Sequence, residues 1–387
     1  MRRLSTFGSS TLLIPLLVAM FSACNLPAMF HLNNPYDPKA SNYTPSLTPI
    51  NGKTAVAYVA NYSDDTISSY RVGVGTGLLT PIGIAGTGTG PTCVAIGLGA
   101  QFAYVTNQFA SNIISAFQID QKTGGLTNRI DYSSGPNPVC IVISPNGNFA
   151  YVTNNGANTV STYGIDSSSG ALTHLGTDVS AGVNPGALTI GPSGQYLYVA
   201  NANSAASTIT QFTINPVDGS LSTMLSVGTG NSPNSLTINP TGKFLYVACI
   251  NENTISAYSI SPIDGTLTAL APDIGLSGGP YSIAIGSGGQ FAYVANNYSG
   301  TIAVYTINQS SGVLNQISNS AAVGSLPEFI ALDPSGSFGL VLNDIGVTPN
   351  GKISSYSINN STGDWLSTGN SLPTGKSPRW IATTYLP

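Results

Sequence analysis

Residues 149–154 read Phe-Ala-Tyr-Val-Thr-Asn, and variants of this strand-like pattern recur along the chain. The third position of the pattern is held by Tyr58, Tyr104, Tyr151, Tyr198, Tyr246, Tyr293 and Leu340. The intervals between these positions are 46, 47, 47, 48, 47 and 47 residues. A period of ~20–50 residues is typical of repeat proteins, in which each unit buries its apolar faces by packing on its neighbours. The spacing therefore predicts seven similar structural units.

Each unit contains four segments with β-strand character. The first segment opens at a proline, which is Pro91, Pro138, Pro185, Pro233, Pro280, Pro327 or Pro378. A Pro-x-Gly turn such as residues 145–147 precedes the Tyr-Val strand in most units, because proline favours the second position of a tight turn and glycine supplies positive φ. An alternating strand such as residues 254–260 and a Leu-Thr strand such as residues 267–268 complete the unit. Four antiparallel strands repeated seven times predict an all-β fold, a seven-bladed β-propeller.

The two ends of the repeat complement each other. The first pattern, at Tyr58, has no proline-anchored strand before it, whereas Pro378 is followed by one strand-like segment, residues 379–384. We therefore predict that the C-terminal segment is the inner strand of the first blade and closes the ring, which removes an exposed sheet edge. The propeller is assigned to residues 51–387.

The N-terminal residues predict export and anchoring. Residues 1–23 have the features of a signal peptide, since Arg2 and Arg3 precede an apolar stretch over residues 12–21. The sequence Phe-Ser-Ala-Cys at residues 21–24 resembles the bacterial lipobox, and that resemblance implies lipidation of Cys24; an ordinary secretory signal is the alternative. Residues 24–50 are rich in Pro, Asn, Ser and Thr and predict a tether. We expect a cell-envelope protein held at the outer membrane, on its periplasmic or surface face, by lipid alone.

Tyr-Val-Thr-Asn at residues 104–107 and 151–154, with the proline anchors and the Gly-x-Leu-Thr turns, resembles the YVTN-repeat and lactonase-like (6-phosphogluconolactonase-like) propellers. The resemblance covers residues 55–387 and implies the seven-bladed fold. For activity it leaves several options open, because that family includes lactone hydrolases, cycloisomerising enzymes and binding proteins.

The residue after each proline anchor is predicted to ring the mouth of the central channel. These residues are Thr92, Val139, Gly186, Asn234, Tyr281, Glu328 and Arg379. The candidate ligand site consists of Asn234, Tyr281, Glu328, Phe329, Arg379 and Trp380. Two interpretations stay open: Glu328 and Arg379 pair and lock the closed ring, or Arg379 binds an anion while Glu328 acts as acid or base. A solvent-filled pocket with an unpaired Glu328 would favour chemistry, and a direct ion pair over a plugged channel would favour a scaffold.

Charge and histidine content argue against several other classes of function. Charged residues make up 7% of the chain and the net charge is −4, which disfavours nucleic-acid binding. His31 in the tether and His174 on an outer strand provide neither a triad base nor a zinc site, so we expect no metal and no cofactor. By resemblance, a phospholactonase would use a cationic pocket with His and Arg, and Arg71, Lys122 and Arg129 lie on or beside outer strands instead.

The cysteines allow two interpretations. Cys93 and Cys140 each lie two residues after a proline anchor in neighbouring units. A disulfide between them is one expectation for an oxidising compartment, and buried free thiols are the other. Cys249 is expected to be buried and inert.

From these observations we expect a monomeric, exported binding or scaffold module without catalysis, whose loop-rich face takes an unidentified protein, small molecule or glycan. The alternative is a lactonase-like hydrolase or isomerase at the channel mouth, with Glu328 and Arg379 as the catalytic candidates. A surface adhesin is the second alternative, favoured by the neutral, Asn/Ser/Thr-rich loops. The recurrent tyrosine is expected to pack between blades and the recurrent asparagine to support local turns.

Overall fold

The computed structural model describes residues 53–109, 112–203, 206–344 and 351–387. The predicted signal peptide, Cys24 and the tether lie outside the described residues. Within them the chain forms thirty β-strands in seven antiparallel sheets, with a short 3-10 helix at Leu98–Ala100. The predicted seven-bladed propeller is therefore confirmed. In this part of the chain no helix is long and apolar enough to cross a membrane.

Every blade runs from an inner strand at the channel to an outer strand at the rim. The inner strands are β4 (Pro91–Ile96), β8 (Pro138–Ile143), β12 (Pro185–Ile190), β17 (Pro233–Ile238), β22 (Pro280–Ile285), β26 (Pro327–Leu332) and β30 (Pro378–Leu386). The second strands are β1 (Thr54–Asn61), β5 (Phe102–Asn107), β9 (Phe149–Asn154), β13 (Tyr196–Asn201), β18 (Phe244–Cys249), β23 (Phe291–Asn296) and β27 (Phe338–Asn343). Each inner strand begins at its predicted proline, since proline fits the first residue of a strand, where no ladder hydrogen bond is lost.

The third strands are β2 (Thr66–Val72), β6 (Ile113–Ile119), β10 (Thr159–Ile165), β14 (Thr208–Ile214), β19 (Thr254–Ile260), β24 (Thr301–Ile307) and β28 (Lys352–Ile358). The outer strands are β3 (Leu79–Gly86), β7 (Leu126–Ser133), β11 (Leu172–Ser180), β15 (Leu221–Thr223) with β16 (Val227–Gly228), β20 (Leu267–Ala269) with β21 (Ile274–Gly275), β25 (Leu314–Ala322) and β29 (Trp365–Pro373). The fourth and fifth blades thus differ from the predicted pattern, because their outer strand is broken into two pieces.

The ring is closed by the C-terminal strand, as the sequence predicts. β30 pairs antiparallel with β1, from Thr54 opposite Leu386 to Asn61 opposite Pro378. The first blade therefore has the order β3-β2-β1-β30. β30 also packs against β4 on one side and β26 on the other, so the inner strands form a continuous circle.

The recurrent tyrosine joins neighbouring blades. The hydroxyl of Tyr58 donates a hydrogen bond to the Gly124 carbonyl oxygen at 2.9 Å, and that of Tyr151 donates to the Gly219 carbonyl oxygen at 3.0 Å. Each acceptor is the turn glycine between the third and outer strands of the next blade. The expected packing role between blades is confirmed, and a specific hydrogen bond is added to it.

The recurrent asparagine acts across strands, which differs from the expected support of a local turn. Asn61 is fully buried, and its Nδ2 donates to Ser68 Oγ on β2 at 2.9 Å. Its Oδ1 accepts a hydrogen bond from the Gly375 backbone nitrogen at 3.0 Å. The side chain therefore connects the second strand to the third strand and to the segment that leads into β30.

The strand registers separate the two faces of the ring. Asn61 lies opposite both Thr66 and Pro378, so the loop between the second and third strands and the start of the inner strand share one face, here called the proline face. The Pro-x-Gly turns lie on the opposite face, where Gly147 has a φ of 76°. The Pro-x-Gly turns and the loops between second and third strands therefore lie on opposite faces of the ring.

Candidate functional site

A β-bulge at the start of the inner strands shapes the channel mouth. The register between inner and second strand shifts directly after the proline, for example between Pro91 and Cys93 and between Pro327 and Phe329. A bulge leaves one residue out of the ladder and re-aims its side chain. A pocket of about 340 Å³ occupies the mouth. Of the predicted mouth residues, it is lined by Thr92, Val139, Gly186, Asn234, Tyr281 and Arg379.

A second ring of side chains surrounds this mouth and was missed from the sequence. Tyr62, Gln108, Asn155 and Ala202 line the same pocket. Each is the residue that follows the recurrent asparagine, so a fixed position in the repeat was the signal that could have identified them. Asn155 Nδ2 lies 3.4 Å from the Pro185 carbonyl oxygen, to which it donates across the blade boundary.

Arg379 is at the centre of the polar side of the pocket. Its Nη1 donates to Glu328 Oε2 at 2.9 Å and to the Tyr281 hydroxyl at 3.4 Å. The guanidinium carbon lies 5.2 Å from the centre of the Tyr62 ring, within cation–π range. Among the described residues, no protein atom accepts a hydrogen bond from Nε or Nη2. The Arg379 side chain is 35% exposed and lines the pocket.

Glu328 lies behind Arg379 and does not line the pocket. Its side chain is 11% exposed. Burial raises the pKa of Glu328, the charge of Arg379 lowers it, and the charge of Asp344 raises it; the net change is upward. For Arg379, burial lowers the pKa and the carboxylate of Glu328 raises it, again with a net rise. The direction for Glu328 is the informative one, because an arginine stays charged at every pH of interest.

An aromatic pair forms one wall of the pocket. Phe329 and Trp380 occupy the second position after the proline on adjacent blades, and their ring centres are 4.3 Å apart at an angle of 39°. The corresponding positions on the other blades are small: Cys93, Cys140, Ala187, Ser235 and Ser282. The mouth is therefore asymmetric, with aromatic and charged groups on one side and open space on the other.

Asn234 lies at the channel mouth, whereas His174 lies at the rim of its blade. Asn234 lines the pocket, and its Nδ2 donates a hydrogen bond to the Tyr281 carbonyl oxygen at 2.9 Å. One N–H of the Asn234 amide is therefore already bonded to the backbone. His174 lies on the outer strand β11, where Nε2 is 2.8 Å from Asp178 Oδ1. Within the described ranges, no group of three or more His, Cys, Asp and Glu side chains is close enough to hold a metal ion.

The cysteines adopt the second of the two predicted states. Cys93, Cys140 and Cys249 are free and buried. The Cys93 sulfur accepts a hydrogen bond from the Ile141 backbone nitrogen at 3.4 Å. Burial raises the pKa of both Cys93 and Cys249, which suppresses the reactive thiolate.

The sequence matches the family described as lactonase, seven-bladed β-propeller, over residues 49–143, 141–226, 203–282 and 277–383. The chain belongs to this family. Among curated proteins, none matches this lactonase-family propeller.

Solved structures similar to this lactonase-family propeller include two proteins provisionally assigned as 6-phosphogluconolactonases. The one from Bacteroides uniformis has a TM-score of 0.74 and 20% identity, and the match covers 86% of this chain and 99% of the other. The one from Bacteroides fragilis has a TM-score of 0.75 and 20% identity, with 88% and 100% covered. The periplasmic gluconolactonase of Pseudomonas aeruginosa has a TM-score of 0.73 and 18% identity, with 86% and 100% covered. At these identities the likeness shows a shared fold.

Proposed function

We propose that this propeller is a lactone hydrolase that binds a compact, sugar-derived lactone at the channel mouth. The observation that carries the proposal is the unoccupied Nε–Nη2 edge of Arg379 beside an aromatic wall, in a pocket of about 340 Å³. Ligand pockets span roughly 300–1,000 Å³, so this pocket suits a single small ring. Membership of the lactonase family and the gluconolactonase among the similar structures support the lactone class.

The pocket offers complementary groups for such a ring. The planar guanidinium of Arg379 matches a carbonyl or carboxylate oxygen. The face of a sugar ring packs on Phe329 and Trp380, while the amides of Gln108 and Asn155 form hydrogen bonds with its hydroxyl groups.

In the proposed hydrolysis, Arg379 and Glu328 act as a pair. Water attacks the lactone carbonyl carbon, the ring C–O bond breaks, and a hydroxy acid is released. Arg379 stabilises the negative charge that develops on the carbonyl oxygen. Because Glu328 does not line the pocket, this step requires the attacking water to sit beside Arg379, within reach of the carboxylate. Glu328 then accepts the proton of that water on Oε1, since Oε2 is engaged with Arg379, and returns it to the leaving ring oxygen. The raised pKa of Glu328 makes it a stronger base than an exposed glutamate.

Binding without turnover is the second candidate. It is favoured by the position of Glu328, which faces Arg379 and does not line the pocket. In this case Glu328 only orients Arg379. An open pocket and a direct ion pair occur together in the structure, so both candidates are tested.

The test is a panel of 1,4- and 1,5-sugar lactones with purified protein. We expect Glu328→Gln to lower kcat by about 100-fold or more, as for a lost general base. Arg379→Gln is expected to lower kcat/KM by roughly 100-fold. Arg129→Gln is the matched control, because Arg129 pairs with Asp131 on the outer strand β7 at 2.7 Å, and it should leave activity unchanged.

The pH profile tests Glu328 separately. The base must be ionised, so activity should rise with pH through a pKa above the ordinary glutamate value of 4.5, and this limb should vanish in Glu328→Gln. A wild-type protein that opens no lactone above the uncatalysed rate would overturn the hydrolase proposal. Lactone binding that persists in that case, measured by calorimetry and lost in Arg379→Gln, would support the second candidate.

A further inference from the structure

The charges at the channel mouth bear on whether the lactone that binds there carries a phosphate group. Of the residues lining the pocket, all of which the structure describes, Arg379 is the only basic one, and none is acidic. Its Nη1 is engaged with Glu328. The other polar groups in the lining are amides and hydroxyls, which carry no charge.

Asp344 is a second acidic residue near the mouth, although it does not line the pocket. It follows the recurrent Asn343, the position at which Tyr62, Gln108 and Asn155 line the pocket in other blades. Its backbone nitrogen donates to the Leu326 carbonyl oxygen at 3.2 Å, next to the start of β26. The charge of Asp344 acts on Glu328, Tyr281 and Arg379. The guanidinium of Arg379 is therefore paired with Glu328 and lies within the field of Asp344.

The other basic side chains of the described chain are placed elsewhere. Four of them lie at the ends of strands or in turns on the face opposite the proline face: Lys53, Arg71, Lys122 and Lys243. Arg129 lies on β7. On the proline face, Lys376 Nζ is 3.8 Å from Asp64 Oδ1, and Lys352 begins β28, two strands away from the channel. The internal segments 110–111, 204–205 and 345–350 contain no charged residue in the sequence.

A phosphate monoester carries about −1.5 to −2 charges at pH 7, and binding it in a pocket requires compensating cations. Here the single cation is already paired with Glu328, so a phosphate would lose hydration and gain only one partly compensated positive charge in return. An uncharged polyhydroxylated ring has no such cost. We infer that the pocket selects an unphosphorylated sugar lactone, with Glu328 and Asp344 as the groups that reject the phosphorylated form; this inference rests on the proposed function.

The experiment compares D-glucono-1,5-lactone with its 6-phosphate, and uses inorganic phosphate as a competitor. We expect kcat/KM to be at least about tenfold higher for the unphosphorylated lactone, and inorganic phosphate at millimolar concentration not to inhibit. Asp344→Asn should raise the relative kcat/KM for the phosphorylated lactone by roughly 3- to 10-fold, since it removes a like charge. Asp264→Asn makes the same change in net charge in an exposed turn on the opposite face and should leave the ratio unchanged.

The possible results separate this inference from the proposed function. Equal or faster hydrolysis of the phosphorylated lactone, or inhibition by inorganic phosphate that Arg379→Gln abolishes, would overturn the selection and leave lactone hydrolysis standing. An unchanged ratio of kcat/KM for the two lactones in Asp344→Asn would show that Asp344 does not contribute to the selection. Failure to hydrolyse either lactone would overturn the proposed function and this inference with it.

Discussion

Buried hydroxyl groups show how single residues hold the blades together. Five of the recurrent tyrosines are fully buried, and each donates a hydrogen bond to the carbonyl oxygen of a turn glycine in the next blade. They are Tyr58, Tyr104, Tyr151, Tyr198 and Tyr246. Tyr305 is also buried, but its hydroxyl has no partner among the described atoms. A buried hydroxyl stabilises the fold only when it is hydrogen-bonded.

This contrast gives a prediction for two matched substitutions. Tyr151→Phe should lower the free energy of unfolding by about 1 kcal/mol, because it removes the 3.0 Å hydrogen bond to Gly219. Tyr305→Phe makes the same chemical change where no bond exists and should be neutral or stabilising. Chemical denaturation of both variants measures the difference. A Tyr151→Phe protein as stable as the wild type would mean that the tyrosine ring, and not the hydroxyl, joins the blades.

At the scale of the element, the seventh blade shows how a degenerate repeat keeps its packing. Leu340 replaces the recurrent tyrosine, and Trp365 begins the outer strand β29 where the other six blades have leucine. The Trp365 ring lies over Gly339 and contacts Tyr293 of the sixth blade at a centroid distance of 5.2 Å. A Cβ atom at Gly339 would lie 2.0 Å from Trp365 Cη2. The missing side chain of Gly339 therefore leaves the space that the large ring of Trp365 fills.

Gly339→Ala is accordingly expected to destabilise the protein by about 1–3 kcal/mol, as overpacking of a close-packed core does. Gly86→Ala on the outer strand β3 is the control, because a Cβ there meets no atom within 4 Å. Melting temperatures of the two variants provide the measurement. A Gly339→Ala protein that melts with the wild type would show that Trp365 moves aside at little cost.

For the whole molecule, β30 completes the ring. It provides the inner strand of the first blade and contacts the inner strands of the second and seventh blades. It also carries Arg379 and Trp380 into the pocket. Closure of the fold and assembly of the site therefore depend on the same strand.

Deletion of residues 378–387 should open the ring, expose the edge of β1 and promote aggregation. Deletion of Pro387 alone is the control, because β30 ends at Leu386. Size-exclusion chromatography and thermal melting distinguish the outcomes. A monomeric truncated protein with the wild-type melting temperature would contradict the role of β30 in closure.

The sequence alone determined the strands, their order and the closure of the ring. These features are local or periodic: prolines start the inner strands, glycines with positive φ make the turns, and Pro378 lacks a following repeat. Periodicity also identified the residues after the prolines as mouth residues, and all of them except Glu328 line the pocket. The same logic applied one position after each recurrent asparagine would have identified Tyr62, Gln108 and Asn155.

Only the tertiary structure decided how the side chains at the mouth are used. The sequence left open whether Glu328 pairs with Arg379 and whether Cys93 bonds to Cys140, and both depend on distances between neighbouring inner strands. The burial of Glu328 behind Arg379, the aromatic contact of Phe329 with Trp380 and the free edge of Arg379 arise where a bulge turns each side chain toward another blade. The contacts that build the site are absent from the repeat pattern, because the pattern records what the units share and the site is built from how they differ.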